Sequence, residues 1–547
     1  MVAIINVAIT LVFFTLSQAA KVLIMPSSLF PVHRFTMRVL AEELIRRKHD
    51  VTWFEYGFLK TGIHIAGEVE EIWTKVEPSN SEIGDLYLYH NHSLYSHIWN
   101  TSIYDEAQQT TAWLTSIDMC KQVLSVHKQK FDSLVARNFT TVILDDLYNP
   151  CGLLLVALKN IPYIYWSMTS LRTESAWAIQ SPSTPSYLPV LGTGLSDDLT
   201  FFQRFYNFAS YLRAIYIHHH LILRRIDKLF KAISPFGFQF LCFFQDYYPN
   251  KLPSSFYIER NASVNFINTP QVFDFARPYM PRVVFIGGIH CRKAVALEKD
   301  LYTFVNKANW KHGFVLFTTG FTAQWNLAPA HVVESFVQAF AAMSEIYFIW
   351  QYNGPFIRDL PENVFIAEWL PQQDLLGHPK VRAHISHGGL NSVIESVWHG
   401  VPVIGYPLTT SGYDNLLRLV TRKVGIMLEK QYLSKDSIQK SVEEIYDIKY
   451  KTDMLIFQDM VTNVPYTELN HSVFWVEFIE RHSKVSHSRS AVDELNLLQY
   501  FLVDIILFVI CTMSAFMLVI YIAVRYVIRM WHIFPNNRNA KLQKKQD

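Results

Sequence analysis

Two doubly wound α/β domains facing each other across a cleft, followed by one C-terminal transmembrane helix, form the fold class that the sequence predicts. Three observations predict it. A strand–helix–strand pattern opens near Lys21 and recurs near Val142. A cleaner run of short apolar strands, separated by helical stretches, lies between Phe314 and Gly405. Near the C-terminus, Ile505 to Val524 carries no charge over about 20 residues, the length a bilayer core requires. Composition agrees: 547 residues, 50% apolar and 18% charged, set a soft prior of about three units and a large core. Charged content this low excludes a disordered chain, and a net charge of +2 excludes a protein built around a nucleic-acid backbone. Five Cys without a Cys-x-x-Cys pair exclude a disulfide-dense scaffold and give no zinc motif.

Met1 to Ala20 is apolar, too short to span comfortably, and ends in small residues around Ser17-Gln18-Ala19; residues 1–20 are expected to be a signal peptide. Lys21–Met25 is the first strand. Met37, Leu40, Ala41, Leu44 and Ile45 mark one face of the following helix, and Val51–Phe54 is the second strand. The pattern returns at Val142–Leu144, in a helix from Gly152 and in a strand at Ile161–Tyr165. These elements place an N-terminal domain at 21–289. Within it, Phe201 to Asp246 interleaves aromatic and basic residues, as interfacial membrane helices do and as helices around an apolar pocket also do. The adjacent His218, His219 and His220 point in different directions on a helix and do not chelate a metal as i, i+4 pairs would. A linker is expected at 290–312.

The second domain, 313–475, has strands at Phe314–Phe317, Ile346–Trp350, Val364–Ala367, Ala383–Ser386 and Val401–Gly405. Neither domain shows Gly-x-Gly-x-x-Gly after its first strand, which disfavours a nicotinamide cofactor. Residues 476–503 are expected to be closing helices, 504–525 the span and 526–547 a basic tail. Arg525, Arg529, Arg538, Lys541, Lys544 and Lys545 put that tail in the cytosol by the positive-inside rule. The rest of the chain is then lumenal, where the sequons at Asn91, Asn100, Asn138, Asn261 and Asn470 belong.

The densest chemistry lies between Trp369 and Asn415. Ala383–Ser386 is a strand, His387-Gly388-Gly389 a turn, and Leu390–Trp398 a helix. Its first turn holds Asn391 and Ser392, where free N–H groups and the helix dipole favour a diphosphate. Glu395 lies one turn on, at reach for ribose hydroxyls, while Trp369 and Gln372 offer a flat face and an amide to a base. A Gly-Gly turn alone is as well explained by packing; the accompanying Trp, Gln, His, Asn and Glu favour a nucleotide.

Here the sequence resembles the UDP-glycosyltransferases, specifically the animal membrane-bound UDP-glucuronosyltransferase group. The resemblance runs from signal to tail, is most specific between Gly313 and Asn415, and is nearest the ceramide galactosyltransferase branch in SHGGLNSVIESVWHGVPV and QYFLVDI. It implies a GT-B fold, with Trp369 stacking on uracil and Gln372 bonding uracil or ribose. It further implies His387, Gly388, Gly389, Asn391 and Ser392 around the diphosphate and Glu395 on the ribose. His33, before a helix ending Arg47-Lys48-His49-Asp50-Val51, matches the family's catalytic base; Lys48 replaces the usual Gly. Asp146, before Pro150-Cys151-Gly152, matches its carboxylate partner. The terminal Lys544 and Lys545 resemble a dilysine retrieval signal, implying a single-pass type I protein of the endoplasmic reticulum membrane.

The pattern departs at the donor sugar. Where relatives carry Asp-Gln or Asp-His, this chain has Ser411-Gly412, so a bidentate acceptor has become one hydroxyl and, on this expectation, empty space. Phe321 replaces a small hydroxyl residue, with Thr322 as the phosphate-side substitute. The expected activity is inverting transfer of glucuronate or a hexose from a UDP-sugar to a lipophilic hydroxyl acceptor. The UDP-sugar is a co-substrate; no cofactor, metal or nucleic acid is expected, and a homo- or hetero-oligomer stays open. The alternative is a non-catalytic nucleotide-sugar or lipid binder regulating a partner, motivated by Ser411-Gly412.

Overall fold

The computed structural model describes residues 19–79, 98–99, 107–233, 252–483 and 485–543. Most of the expected signal segment, the sequons at Asn91 and Asn100, and the Lys544–Lys545 pair lie outside the described residues. Two units are resolved, Met1–Ser488 and Arg489–Asp547.

The first unit contains two parallel sheets. Strands β1 (Lys21–Met25), β2 (Asp50–Gly57), β3 (Glu70–Lys75), β4 (Thr141–Asp145), β5 (Tyr163–Ser167), β6 (Val264–Ile267) and β7 (Val283–Phe285) form the first. The second holds β8 (Phe314–Thr318), β9 (Tyr347–Gln351), β10 (Val364–Ala367), β11 (Val381–Ser386), β12 (Val403–Gly405) and β13 (Gly425–Met427). Their orders are β3-β2-β1-β4-β5-β6-β7 and β10-β9-β8-β11-β12-β13. In each, strand order reverses once, between β1 and β4 and between β8 and β11, and open α/β sheets place ligands at that crevice. Central strands such as Thr141–Asp145 and Phe314–Thr318 are buried throughout, which is why they read as unbroken apolar runs.

The helix Pro31–Arg46 starts with Pro, whose missing N–H costs nothing at a first helical position. It buries Met37, Leu40, Ala41 and Leu44 completely against the first sheet. Just beyond its end Lys48 adopts φ 67°, a left-handed conformation costing a non-glycine residue about 1–2 kcal/mol, which explains the Gly of related sequences.

Several boundaries differ from expectation. The first strand starts at Lys21 as expected, but Ala20 before it is already fully buried: its N–H donates to His49 Nδ1 and its carbonyl accepts from the Asp50 N–H. The 290–312 stretch contains a helix, Lys299–Lys307, whose Leu301, Phe304 and Val305 are buried with Phe314 and Leu316 of β8. The helix Glu468–His482 crosses the expected boundary at 475–476 and packs on Pro31–Arg46. Its Val473, Val476 and Ile479 join the core of the N-terminal half, so the chain returns to complete its first domain.

Between Phe201 and Asp246 the described part is a helix Phe201–Tyr216, a π-helical stretch Ile217–Leu223 and a helix Arg224–Ile233. Its Tyr206, Ser210, Arg213 and Ala214 line the central cavity, while Phe201, Phe205, Phe208, Leu212 and Tyr216 form an exposed stripe. One face of this helix therefore lines the cavity, while another is an exposed apolar stripe.

In the second unit the helix Val503–Gln543 contains one segment, Val503–His532, long and apolar enough to cross a membrane. The helix does not stop at Arg525. Charge ends favourable contact with hydrocarbon but not backbone hydrogen bonding, and Arg, Tyr and Ile continue a helix readily.

Candidate active site

A cavity of about 1370 Å3 lies between the two sheets, lined by residues of both halves. His33, in the first turn of Pro31–Arg46, reaches it from just beyond β1. Its Nδ1 lies 2.5 Å from Oδ2 of Asp145, with the His33 ring 6% and the carboxylate 0% exposed. Asp145 Oδ2 also accepts from the Ser27 N–H at 3.0 Å, and Oδ1 from the Leu147 N–H at 3.0 Å. Nδ1 is thereby fixed as the protonated nitrogen, leaving Nε2 free of that partner.

The expected partner of His33 was Asp146, and the structure corrects this to Asp145. Successive residues at a strand end face opposite sides of the sheet. Ile143 packs in the same core cluster as Met37 and Leu40 of the His33 helix, so Asp145, two residues on, shares their side. Val142 and Leu144 pack on the other side, and Asp146 follows them. There it takes Arg172 Nη2 at 2.9 Å and the Ser175 hydroxyl at 3.3 Å. Parity of burial along β4 was the signal available in the sequence.

In the C-terminal half, β11 ends at Ser386 and the helix Leu390–Trp398 begins at the cavity, with Gly389 as its N-cap and no side chain capping it. Gly388 has φ 91°, and an added Cβ would lie 2.2 Å from the Gly412 carbonyl oxygen. Gly389, Leu390, Asn391 and Ser392 line the cavity, so the N-terminal amides of this helix face it. His387 is buried, and burial pulls its pKa down to about 4, a hydrogen bond with the Thr318 backbone acting the other way; its ring is neutral near pH 7.

Gln372 and Glu395 come together: Gln372 Nε2 donates to Glu395 Oε2 at 2.6 Å. His290 Nε2 stands 3.3 Å from the other carboxylate oxygen. With its nitrogen on a carboxylate, Gln372 presents Oε1 to the Thr318 hydroxyl at 2.6 Å. Thr318 has one proton, which goes to Gln372, so the 2.8 Å contact to His384 must be donated by His384 Nε2. His384 Nδ1 lies 2.7 Å from Ser396 Oγ, whose one proton is shared between that nitrogen and the Ser392 carbonyl at 2.8 Å. His384 suits a neutral relay, its pKa lowered to about 3 by burial with His387 adding to it. Thr318, His384, Ser396 and His290 were missed by sequence reasoning; His384 was read only as part of a strand.

Trp369 is half exposed, with Phe321 on one side at a centroid distance of 4.8 Å. Phe321 also meets Phe35 of the N-terminal half at 6.1 Å, so the residue replacing a small hydroxyl bridges the cleft. Thr322 lines the cavity. Asn391 also spans the halves: its Nδ2 donates to Thr36 Oγ1 at 2.8 Å, and its Oδ1 accepts from Asn268 at 3.1 Å. The side chain expected on phosphate is thus largely committed to joining the domains, and the backbone of its turn remains for the anion.

At the donor-sugar positions, Thr409 caps the helix Thr410–Thr421 by accepting from the Gly412 N–H, and Ser411 Oγ lies 3.4 Å from Thr409 Oγ1. The space expected at Gly412 is filled: an added Cβ would stand 2.5 Å from the His387 carbonyl oxygen. Asp414, buried in the same helix, accepts from the N–H groups of Gly192 and Gly194 in the N-terminal half. On that side of the cavity, Cys151, just after Asp145–Asp146, forms a disulfide with Cys120 of the helix Ala107–Ser125.

Comparison with known proteins agrees with this arrangement. The family model "UDP-glucoronosyl and UDP-glucosyl transferase" matches residues 20–537. Human UDP-glucuronosyltransferase 2B17 is 28% identical over 529 residues, covering 93% of both chains. Human 2-hydroxyacylsphingosine 1-beta-galactosyltransferase is 28% identical over 542 residues, covering 94% of this chain and 88% of its own. Among solved structures, the calicheamicin glycosyltransferase CalG4 superposes with a TM-score of 0.56 at 15% identity, covering 84% of this chain and 99% of its own. Phytolacca americana UGT2, complexed with UDP-2fluoro-glucose and pterostilbene, gives 0.55 at 16% identity, with 85% and 100% covered. The fold is GT-B. Two switch-point crevices facing one cavity, and a family match over nearly the whole length, make this chain a UDP-glycosyltransferase, a member of the UDP-glucuronosyl and UDP-glucosyl transferase family.

Proposed function

We propose that the enzyme transfers a sugar from a UDP-sugar to a hydroxyl of a lipophilic acceptor with inversion, using His33 as general base and Asp145 as the residue that orients it. One observation carries this reading. The buried His33–Asp145 pair stands on one wall of a cavity whose other wall holds an uncapped helix start. A hydroxyl oxygen attacks the sugar C1 as its proton passes to His33 Nε2; the C1–oxygen bond to the diphosphate breaks and UDP leaves from the opposite face. Asp145 holds the imidazole in the productive tautomer and stabilises the imidazolium that forms. The amides of Gly389 to Ser392 and the His387 ring stabilise the charge growing on the diphosphate. Trp369 stacks on uracil through the face not taken by Phe321, while Gln372 and Glu395, held by the Thr318–His384 relay, receive the nucleoside.

We place the catalytic unit in the lumen of the endoplasmic reticulum, with Val503–His532 as the span. The Cys120–Cys151 disulfide supports an oxidising compartment. The non-catalytic alternative rests on Ser411-Gly412. Against it stands the cost of burying an imidazole–carboxylate pair that a mere binder has no use for. Microsomes assayed with a panel of UDP-sugars against phenolic, steroid and ceramide acceptors test the reading. His33→Ala should abolish transfer and leave UDP binding intact; undiminished turnover would remove His33 from the mechanism.

A further inference from the structure

Along the N-terminal wall of the cavity, five rings follow one another. Phe30 stacks on His33 with centroids 6.0 Å apart. Tyr148 lies 5.7 Å from Phe30, Trp113 5.2 Å from Tyr148, and His218 5.9 Å from Trp113. All five line the cavity. At one end stands the proposed base, and at the other a buried ion pair: His218 Nε2 is 3.0 and 3.2 Å from the two oxygens of Glu259. His218 is 5% exposed and Glu259 3%. The Tyr165 hydroxyl donates to Glu259 as well, at 3.4 Å.

The track has two chemically distinct parts. Its middle is aromatic and offers faces and edges but few polar atoms, which suits a flat apolar body. Its far end is polar and charged. Glu259 occupies Nε2 of His218, so Nδ1 is the nitrogen available to a ligand, and it is a donor in the protonated ring. Burial opposes protonation of His218, but Glu259 outweighs it and the pKa is raised. Arg172, beside it on the cavity wall, is already paired with Asp146 and Glu174. A buried ion pair of this kind adds little stability in itself, so packing alone gives no reason for it at a cavity wall.

We propose that this run of rings is the acceptor track, and that it selects a rigid, flat lipophile with oxygen at both ends. The reacting hydroxyl sits at His33 Nε2, and a second hydroxyl or carbonyl oxygen accepts from His218 Nδ1. Transfer at His33 belongs to the function proposed above; recognition at His218 is separable from it and is measured by binding.

The full-length chain in lipid nanodiscs, saturated with UDP, is titrated calorimetrically with biphenyl-4-ol, biphenyl-4,4′-diol and the corresponding terphenyl mono-ol and diol. In wild type, the diol whose length fits should bind at least about ten-fold tighter than its mono-ol, as expected for a hydrogen bond to a charged group. His218→Phe, which keeps a ring in the track, should erase that preference, and His218→Gln should retain part of it. Equal affinities of diol and mono-ol at both lengths in wild type overturn the proposal, as does a preference that survives in His218→Phe. A diol preference without turnover on any acceptor would refute the transfer role of His33 and leave the track standing. Turnover without a diol preference would do the reverse.

Discussion

Asp145→Asn separates a catalytic orienter from a structural carboxylate more sharply than any other change. The wild-type carboxylate accepts from His33 Nδ1, from the Ser27 N–H and from the Leu147 N–H, and has nothing to donate. An amide keeps the shape, but with one oxygen for three donors it must turn its NH2 toward at least one of them. In the orientation that faces that NH2 to Leu147, the bond to His33 is kept against a repelled N–H. In the orientation that faces it to His33 and Ser27, Nδ1 must accept, and the ring proton moves to Nε2, where the acceptor's proton must go. The base is then blocked in its wrong tautomer, a change that costs about 10^4 in turnover in the Ser-His-Asp triad. We expect about 10^3–10^4 here, with UDP affinity unchanged because the nucleotide residues lie on the other half. Asp146→Asn is the contrast. It replaces a charged partner of the buried Arg172 at 2.9 Å by a neutral acceptor while Glu174 stays paired, and should cost about 1–3 kcal/mol of stability while the folded fraction keeps its turnover. Initial rates under saturating donor, paired with thermal melts of both variants, read the two effects apart. Turnover of Asp145→Asn within a few-fold of wild type, or collapse of turnover in Asp146→Asn without a change in melting, would refute the assignment.

At the donor site, Gly412→Ala drives a methyl group toward the His387 carbonyl and should displace the turn beside the diphosphate, weakening UDP binding about ten-fold by calorimetry. Ser411→Asp alone should leave UDP affinity unchanged and sharpen the choice among UDP-sugars in competition; the Ser411→Asp, Gly412→Gln pair should instead lose UDP affinity. Acid should destabilise the enzyme. His384 and His387, lowered to about 3 and 4, take up protons near pH 6.5 only when unfolded, so each removes about 1.4 kcal/mol per pH unit as pH falls below that value. His219 and His399, also lowered to about 4, act with them, whereas His218, raised, gains stability as pH falls toward 6.5 and is constant below it. Urea midpoints between pH 7.5 and 5 that do not fall would contradict this. Cys120→Ser should cost about 2–4 kcal/mol in the same titration.

Strands written as apolar runs and helices with clear stops were legible from the sequence. Lys21–Met25, Val364–Ala367 and Leu390–Trp398 match expectation residue for residue. Glu70–Lys75 was not legible, because this edge strand is mostly half-exposed and reads EEIWTK, without an apolar run. Gly425–Met427 is simply too short to show a period. The clustering of the residues expected to hold a nucleotide was legible because strand, turn and helix bring them together locally. What connects them was not: the Thr318–His384–Ser396 relay joins residues up to 78 positions apart. The Asp145–Asp146 choice turned on strand parity, which a motif spacing does not encode. The crowding at Gly412 comes from the His387 backbone, 25 positions earlier in the chain.

The helix Glu468–His482, which leaves the second domain to finish the core of the first, bears on how hybrids of this enzyme and its relatives must be cut. A single crossover in 290–312, the natural place to exchange N-terminal halves, would seat a foreign Val473, Val476 and Ile479 against a native Met37 and Leu40. The pairs Thr36 and Asn268 with Asn391, Gly192 and Gly194 with Asp414, and Asp274 with Arg418 cross the boundary in any such hybrid and must be matched residue for residue. Keeping that core intact therefore needs two crossovers, the second before Glu468, so that the second domain moves as an insert inside a first domain contributed by both ends of the unit.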